Sequence, residues 1–284
     1  MKKSLLIAAV TALVVAIPAS SALASPSTFQ RFEAKVTGKA GTNAKPKAIA
    51  LKIHPFHVYN IAGGPTDIGG VNSGSPMEVP FATVFAHVYM DKALSFNTAS
   101  FPACPIQTAF DTPDKCPAGS RVDIPSTASG LVRSTNDAPG KYVTKVDLAI
   151  KTFVLSTNAK GQKVNDTLGL RVVTPLATAI IEGKLRKAKG SETKLYGKVM
   201  DFTIPPGLIA PYETGVSQLI DFNSGIKSAV SKGKPLIGLG KCPSSKKLNF
   251  GYNGDYATKP LLSQAPNFKI TEVGKRIDTK VACK

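Results

Sequence analysis

Three histidines are the residues of this sequence that could bind a metal ion or act as a base, and all lie in its first third. His54 and His57 are three residues apart, a spacing that would put both on one face of a helix. Pro55 disfavours a helix here, and in a strand residues three apart point to opposite faces. The acids that could complete a metal site are Asp67, Glu78 and Asp91, but nothing in the sequence brings them near His54, His57 or His87. We therefore predict structural histidines at strand ends and no cofactor, with a metal site as the alternative.

The serines offer weak candidates for a nucleophile. A serine hydrolase needs a hydroxyl group activated by a base, and the G-x-S-x-G turn that often presents it is absent. The nearest match is Ser217, which has Leu219 where the second glycine should be. Ser224 and Lys227 have a Ser-x-x-Lys spacing, which is expected by chance in a chain so rich in lysine. The sequence predicts no catalytic serine.

Paired carboxylates and sugar-stacking aromatics are two further kinds of site to consider. Asp201 and Asp221 flank a Pro-Pro-Gly segment, but the sequence gives no reason to pair them. A hydrolase whose catalytic acids are dispersed along the sequence stays open as an alternative. Tyr252 and Tyr256 are the best candidates for stacking on a sugar, because the chain has no tryptophan. The Asn-Gly-Asp sequence between them is typical of a hairpin turn, which we predict instead.

Four cysteines, an even number, predict two disulfide bonds in an exported chain. We favour Cys104–Cys116 and Cys242–Cys283, because the first two cysteines share one loop and the last two flank one C-terminal stretch. Two other pairings are open. A zinc site is the other alternative, but structural zinc uses closely spaced pairs such as C-x2-C, and the cysteines here are far more widely spaced.

The N-terminus has the three zones of a secretory signal peptide. Lys2 and Lys3 precede an apolar run over residues 5–17, and small residues follow up to Ala24, where we place cleavage. The apolar run is shorter than the roughly 20 residues that a membrane-spanning helix needs. We therefore predict a signal peptide over residues 1–24, no transmembrane segment after its removal, and a secreted protein that is released or loosely associated with the cell wall.

The chain is strongly basic, with 36 lysines and arginines against 18 acids and a net charge of +18. Such a charge attracts polyanions at long range and disfavours self-association, so we expect a monomer. Aromatic residues do not interleave with the basic ones, which argues against dedicated nucleic-acid binding. One dense basic group contains the candidate contacts for an anionic polymer: Lys184, Arg186, Lys187 and Lys189. The alternative is that these residues form an ordinary solvated surface.

The apolar pattern has a period of two and no sustained helical period, which predicts strands. Residues 25–46 are polar and are predicted to be a flexible lead-in. Residues 142–156 with 167–174, and 177–187 with 194–204, are predicted hairpins, and 247–256 and 268–281 are predicted to be the last strands. Helical turns are expected only at 105–110 and 213–221. In residues 79–90, alternation places Thr83 and His87 on the same side. We predict an all-β, antiparallel β-sandwich over residues 47–284, as one sandwich or two abutting halves.

A set of short motifs resembles a group of uncharacterised secreted proteins of actinobacteria. In that group a strand ends in P-x-C, a short helical loop follows, and C-P-x-G-S opens the next strand; this sequence has P-A-C at residues 102–104 and C-P-A-G-S at 116–120. A later C-P matches Cys242-Pro243, the last cysteine matches Cys283, and Ile204-Pro205 matches a strand end before a helical segment. The resemblance implies the two disulfides and the β-sandwich, and it implies no catalytic residue.

These patterns predict a secreted or cell-envelope-associated, non-enzymatic protein that binds an anionic envelope polymer through a basic surface. The alternative is a secreted hydrolase that acts on an envelope or extracellular polymer. Charge and compartment favour the first hypothesis, and only the unpaired acids and histidines keep the second one open.

Overall fold

The computed structural model describes residues 30–57, 81–133, 143–175, 177–210, 217–258 and 267–284. The predicted signal peptide at residues 1–24 lies outside these ranges. The described chain is mostly antiparallel β-structure, which confirms the predicted all-β class. Its helices are short: α1 (Ile106–Asp111), α2 (Pro206–Ile209) and 3-10 turns at Thr98–Ser100, Pro113–Lys115 and Gly190–Lys194.

The strands follow the alternating pattern of the sequence through most of the described chain. Their bounds are β1 (Gln30–Thr37), β2 (Lys47–Ala48), β3 (Ala50–His57), β4 (Phe81–Asp91), β5 (Leu94–Phe96), β6 (Thr127–Arg133), β7 (Val143–Val154), β8 (Thr167–Val173), β9 (Thr178–Lys187), β10 (Tyr196–Thr203), β11 (Ser217–Ile226), β12 (Val230–Ser231), β13 (Lys234–Pro235), β14 (Ile237–Leu239), β15 (Lys247–Thr258), β16 (Glu272–Val273) and β17 (Ile277–Ala282). In β9, for example, Ile181 and Leu185 are buried while Lys184 between them is exposed.

One large sheet of 12 strands dominates the fold, in the order β1-β3-β11-β6-β7-β8-β9-β10-β4-β15-β16, with β17 also pairing with β15. The pairs β7–β8 and β9–β10 are the two predicted hairpins, and β15 pairs with both β16 and β17 as the predicted last strands. A three-stranded sheet, β2-β14-β5, contributes the fully buried side chains of Ile237 and Leu239 to the same core.

The large sheet curls until its two ends meet. Strand β1, at one end, lies against β17 at the other. The side-chain amide of Gln30 donates to the carbonyl of Lys275 at 3.3 Å, and the rings of Phe32 and Tyr252 stack with 5.7 Å between centroids. The two halves of the sheet therefore face each other across one apolar interior, and a curled sheet buries its apolar face as a sandwich does.

Three local predictions are wrong. The predicted lead-in at 25–46 contains β1, whose Gln30–Thr37 pair along their whole length with β3. The helical turn predicted at 213–221 is instead the start of β11 over Ser217–Ile226, with residues 213–216 outside the described residues. The strict alternation predicted for residues 79–90 breaks in β4, where Asp255 of β15 pairs with Phe85 and the next residue, Tyr256, pairs with Thr83. Val84 is therefore a β-bulge, which turns Thr83 to the inner face.

Two disulfides join Cys104 to Cys116 and Cys242 to Cys283, as predicted. Cys104 is completely buried and is held beside the end of β7, where its amide donates to the carbonyl of Val154 at 2.8 Å. Its disulfide thus fixes the loop that contains α1 to the sheet. The second disulfide fixes the end of β17 to the loop after β14.

The two disulfides should differ in their effect on stability because they close loops of different length. They span sequence separations of 12 and 41 residues. We expect the double variant C104A/C116A to lose about 3 kcal/mol of unfolding free energy and C242A/C283A about 4 kcal/mol, both as upper values. Urea unfolding under non-reducing conditions measures both losses. A larger loss for the shorter loop, or free thiols in the wild-type protein, would contradict this prediction.

Candidate functional site

His54 and His57 point to opposite faces of β3, as their spacing predicts. His54 lies on the outer face, with Nε2 at 2.8 Å from Asp221 Oδ2 and Nδ1 at 3.4 Å from Glu33 Oε2. Of the acids that were candidates for a shared metal site, Asp67 and Glu78 lie outside the described residues. Asp91 instead accepts hydrogen bonds from the amides of Ala93 and Asn249, each at 2.8 Å.

His57 lies inside the curled sheet, in a polar cluster at the place where the two ends of the sheet meet. Its Nδ1 is 3.0 Å from the carbonyl oxygen of Leu219, and its Nε2 is 3.3 Å from the hydroxyl of Tyr256. Tyr256 in turn donates to the side-chain oxygen of Gln30. Burial lowers the pKa of His57 to about 4 against the opposing effect of the Leu219 carbonyl, so the ring is neutral at physiological pH.

His87 lies between two carboxylates on the outer face of the sheet. Its Nδ1 is 2.8 Å from Asp201 Oδ1 on β10, and its Nε2 is 3.3 Å from Asp255 Oδ2 on β15. Burial by itself would lower the pKa of His87, but the hydrogen bonds and negative charges of Asp201 and Asp255 outweigh it and raise this pKa to about 9. His87 is therefore a cation at neutral pH, with both ring N–H groups directed at carboxylates.

Arg186 on β9 extends this arrangement across a further strand. Its Nε donates to Asp201 Oδ2 at 2.6 Å, and its two terminal nitrogens bind both oxygens of Glu192 at 2.7 and 3.0 Å. Hydrogen bonding to Glu192, together with that to Asp201, raises the pKa of Arg186. Lys189 donates its backbone amide to Glu192 at 2.7 Å, which fixes the turn after β9. We call the side chains of His87, Arg186, Glu192, Asp201 and Asp255 the outer ion network.

The outer ion network borders a second polar group, which is formed by residues of β4, β10 and β15 and by Arg276 just before β17. Tyr89 donates to the side-chain oxygen of Asn253 at 2.8 Å, and the guanidinium of Arg276 lies 5.3 Å and 5.0 Å from the ring centroids of Tyr89 and Tyr196. Asn253 is inside β15, so the hairpin turn predicted there is wrong. Tyr252 and Tyr256, the candidates for sugar stacking, are buried in the interior.

The outer ion network can stabilise the sheet, but its groups are poorly suited to acid–base catalysis. A general base must be unprotonated at the working pH and within reach of a substrate proton. His87 is protonated, and both of its nitrogens are hydrogen-bonded to protein carboxylates. Among the described residues, no group of three or more His, Cys, Asp or Glu side chains is placed to hold a metal ion.

The serines considered as nucleophiles have no histidine beside them. The hydroxyl of Ser217 donates to the carbonyl of Leu208, and Ser224 is buried with Ser126 Oγ at 3.4 Å. Asp201 and Asp221, which no sequence pattern pairs, each bind a different histidine. Among the described residues, neither Ser217 nor Ser224 is hydrogen-bonded to a histidine, and the two aspartates are not paired.

The four candidate anion contacts fall into two kinds. Lys184, Lys187 and Lys189 are exposed at β9 and the turn that follows it. Arg186 is half-buried and bound to two carboxylates. The same contrast between lysines without a carboxylate partner and Arg186 holds throughout the part of the chain that the structure describes. There, Lys151 is the one lysine whose ammonium lies within 4.0 Å of a carboxylate oxygen, and this oxygen belongs to Asp114.

Part of this polar arrangement was missed by sequence reasoning, although a local signal exists for some of it. Arg276 and Asp278, like Arg121 and Asp123, form ion pairs at a separation of two residues. In a strand this separation puts both side chains on one face. The contacts of His87 with Asp201 and Asp255 cross 114 and 168 residues of sequence and depend on strand register, which has no such signal.

No family model, curated protein or solved structure matches the chain. The resemblance to actinobacterial secreted proteins therefore stays a prediction. None of the helices in the described ranges has the length and hydropathy that crossing a bilayer requires.

His87 should stabilise the protein in a pH-dependent manner. Its pKa is about 9 in the folded protein, against an ordinary value of 6.5, so its contribution is complete below pH 6.5 and is lost as the pH rises through 9. We expect His87→Gln to reduce the unfolding free energy by on the order of 2 kcal/mol at pH 6, and by much less at pH 10. Urea unfolding of variant and wild type at both pH values measures this. A loss that is constant or grows with pH would contradict the assignment.

Proposed function

We propose that this is an extracellular, non-enzymatic protein that binds an anionic envelope polymer through exposed lysines. The observation that carries the proposal is the distribution of ion pairs. The described carboxylates that form ion pairs do so mainly with arginine and histidine, whereas nearly all described lysines have no carboxylate within 4.0 Å. The excess positive charge of the chain is thus left on its lysines.

Lysine is the residue suited to this kind of binding. Its ammonium is a compact, hydrated charge on a flexible stem, whereas arginine favours fixed, bidentate contacts with a planar partner. A set of mobile ammonium groups attracts a repeating phosphate or carboxylate polymer without needing one exact geometry. The charge would also raise the rate of encounter with such a polymer.

The surface beside β9 concentrates this charge. Lys184, Lys187, Lys189 and Lys194 are all exposed there. Two neighbouring acids, Asp201 and Glu192, are bound to Arg186 and so are partly neutralised within the outer ion network. We call these four residues the lysine patch, and we propose it as the main contact for the polymer.

Export and the lack of catalysis are parts of the same proposal. Two disulfides are typical of proteins that fold outside the cytosol. A hydrolase that used histidine as its base would need an unprotonated ring, and His87 on the outer face is held as a cation between two carboxylates. The neutral histidine, His57, is buried in the interior.

The charge hypothesis predicts a salt-sensitive interaction with anionic cell-wall material. The Debye length falls from about 10 Å at 0.1 M salt to about 3 Å at 1 M. We expect retention of the wild-type protein on purified cell walls to fall at least tenfold over this range, with little retention on neutral cellulose. Co-sedimentation with the walls at each salt concentration measures it.

A matched pair of triple variants separates the lysine patch from overall charge. The variant K184Q/K187Q/K189Q and the control K35Q/K39Q/K45Q remove the same number of charges from exposed positions. We expect the patch variant to dissociate at a clearly lower salt concentration than the control. Equal behaviour of the two variants would limit the proposal to unspecific charge attraction, and retention that ignores salt would overturn it.

A further inference from the structure

Two apolar cavities lie between described residues in the interior of the curled sheet. The first is bounded by β4, β6–β9, β11 and α2 and encloses about 770 Å³, including the part open to solvent. The second, of about 470 Å³ including the part open to solvent, lies among β3, β4, β7, β8, β10 and β11. Phe222 lines both cavities and separates them.

Each cavity has a buried threonine hydroxyl in its wall. Thr83 lines the first cavity and is 5% exposed, and Thr152 lines the second and is 1% exposed. Neither hydroxyl has a hydrogen-bond partner among the residues that the structure describes. Because a buried polar group without a partner is destabilising, these are two places where a ligand could supply the missing hydrogen bond. We call the two spaces the Thr83 cavity and the Thr152 cavity.

The Thr83 cavity opens to the surface beside α2. Gly207, at the start of α2, is exposed and forms part of its wall. A Cβ atom built at Gly207 would meet no atom within 4 Å, so the space beside this residue is open. Thr83 is turned into the cavity by the bulge at Val84, which places a hydroxyl group where alternation alone would have put it outside.

We propose that the Thr83 cavity binds an aliphatic chain that carries one neutral hydrogen-bonding group, such as an alcohol or an ester. Among the described residues that form the wall of the cavity, none is charged and Phe222 is the one aromatic residue. A carboxylate or ammonium buried there would lack a counter-charge and would be strongly disfavoured. A neutral group can form a hydrogen bond with the Thr83 hydroxyl while the chain packs on the Val, Leu and Ile side chains.

This site is independent of the lysine patch. Its wall is made of inward-facing side chains, whereas the lysines are exposed. Each of the two proposals can therefore fail without the other.

The test compares 1-octanol with octanoate at pH 8 by isothermal titration calorimetry on the full mature protein. We expect 1-octanol to bind at least tenfold more tightly than octanoate, since the two chains match and only the charge differs. We also expect 1-octanol to raise the melting temperature. Equal binding of octanoate would overturn the requirement for a neutral group. Binding of neither probe at millimolar concentration would mean that the cavity does not accept a chain, and would overturn the proposal.

Matched threonine variants test the hydrogen bond. Thr83→Val and Thr152→Val each remove one buried hydroxyl without a partner and keep the shape of the side chain, so each should leave the free protein as stable as wild type or more stable. We expect T83V to weaken 1-octanol binding roughly three- to tenfold, T83S to retain it, and T152V to leave it unchanged. The same effect in T83V and T152V, or no effect in T83V, would overturn the assignment to Thr83.

A variant at the opening tests the location of the site independently of the hydroxyl. Gly207→Phe introduces a ring where the structure has open space, so folding should not be impaired. We expect this variant to lose 1-octanol binding while it keeps the wild-type melting temperature in the absence of ligand. Undiminished binding in a folded G207F protein would place the ligand elsewhere and overturn the proposal.

Discussion

The fold depends on the contact that closes its large sheet. A single antiparallel sheet with one apolar face must cover that face, and this protein does so by curling until β1 reaches β15 and β17. The side chain of Gln30 makes the decisive polar contacts: its oxygen accepts hydrogen bonds from Tyr256 and from the Gly254 amide, and its nitrogen donates to Lys275. These contacts satisfy polar groups at a point where the two sheet ends have no regular ladder between them.

The cavities are a consequence of the same closure. When one sheet curls, its inner side chains must fill a space whose width is set by the number and twist of the strands, and not by the side chains alone. Close approach is achieved only locally: at Gly183, for example, any Cβ atom would lie 2.3 Å from the ring of Phe202, so glycine is required for that ring to pack against β9. Elsewhere the aliphatic side chains of opposite walls do not meet, and the Thr83 and Thr152 cavities remain between them.

The sequence predicted what is local and missed what depends on distant strands. The hairpins β7–β8 and β9–β10 were predictable because their strands are neighbours in the chain and alternate clearly. The pairing of β1 with β3, and of β4 with β10 and β15, was not, because a period of two identifies a strand but not its partner. The sequence also predicts a lead-in where β1 lies, because residues 25–46 are polar and contain few large apolar side chains. In the candidate site, the exposure of Lys184 could be predicted from its charge alone. The binding of Arg186 to Asp201 could not, because it depends on the register between two strands.

Strand β4 shows how one irregularity divides the polar chemistry of the molecule between two surfaces. His87 and Thr83 are four residues apart, so regular alternation would put both on the outer face. The extra residue at Val84 keeps His87 outside, between Asp201 and Asp255, and sends Thr83 inward to a cavity wall without charged groups. A bulge interrupts ladder hydrogen bonds, and a buried hydroxyl without a partner adds to that cost. The bulge at Val84 and the buried Thr83 hydroxyl are thus both unfavourable for the free energy of folding. A ligand group that binds the Thr83 hydroxyl would compensate part of this cost.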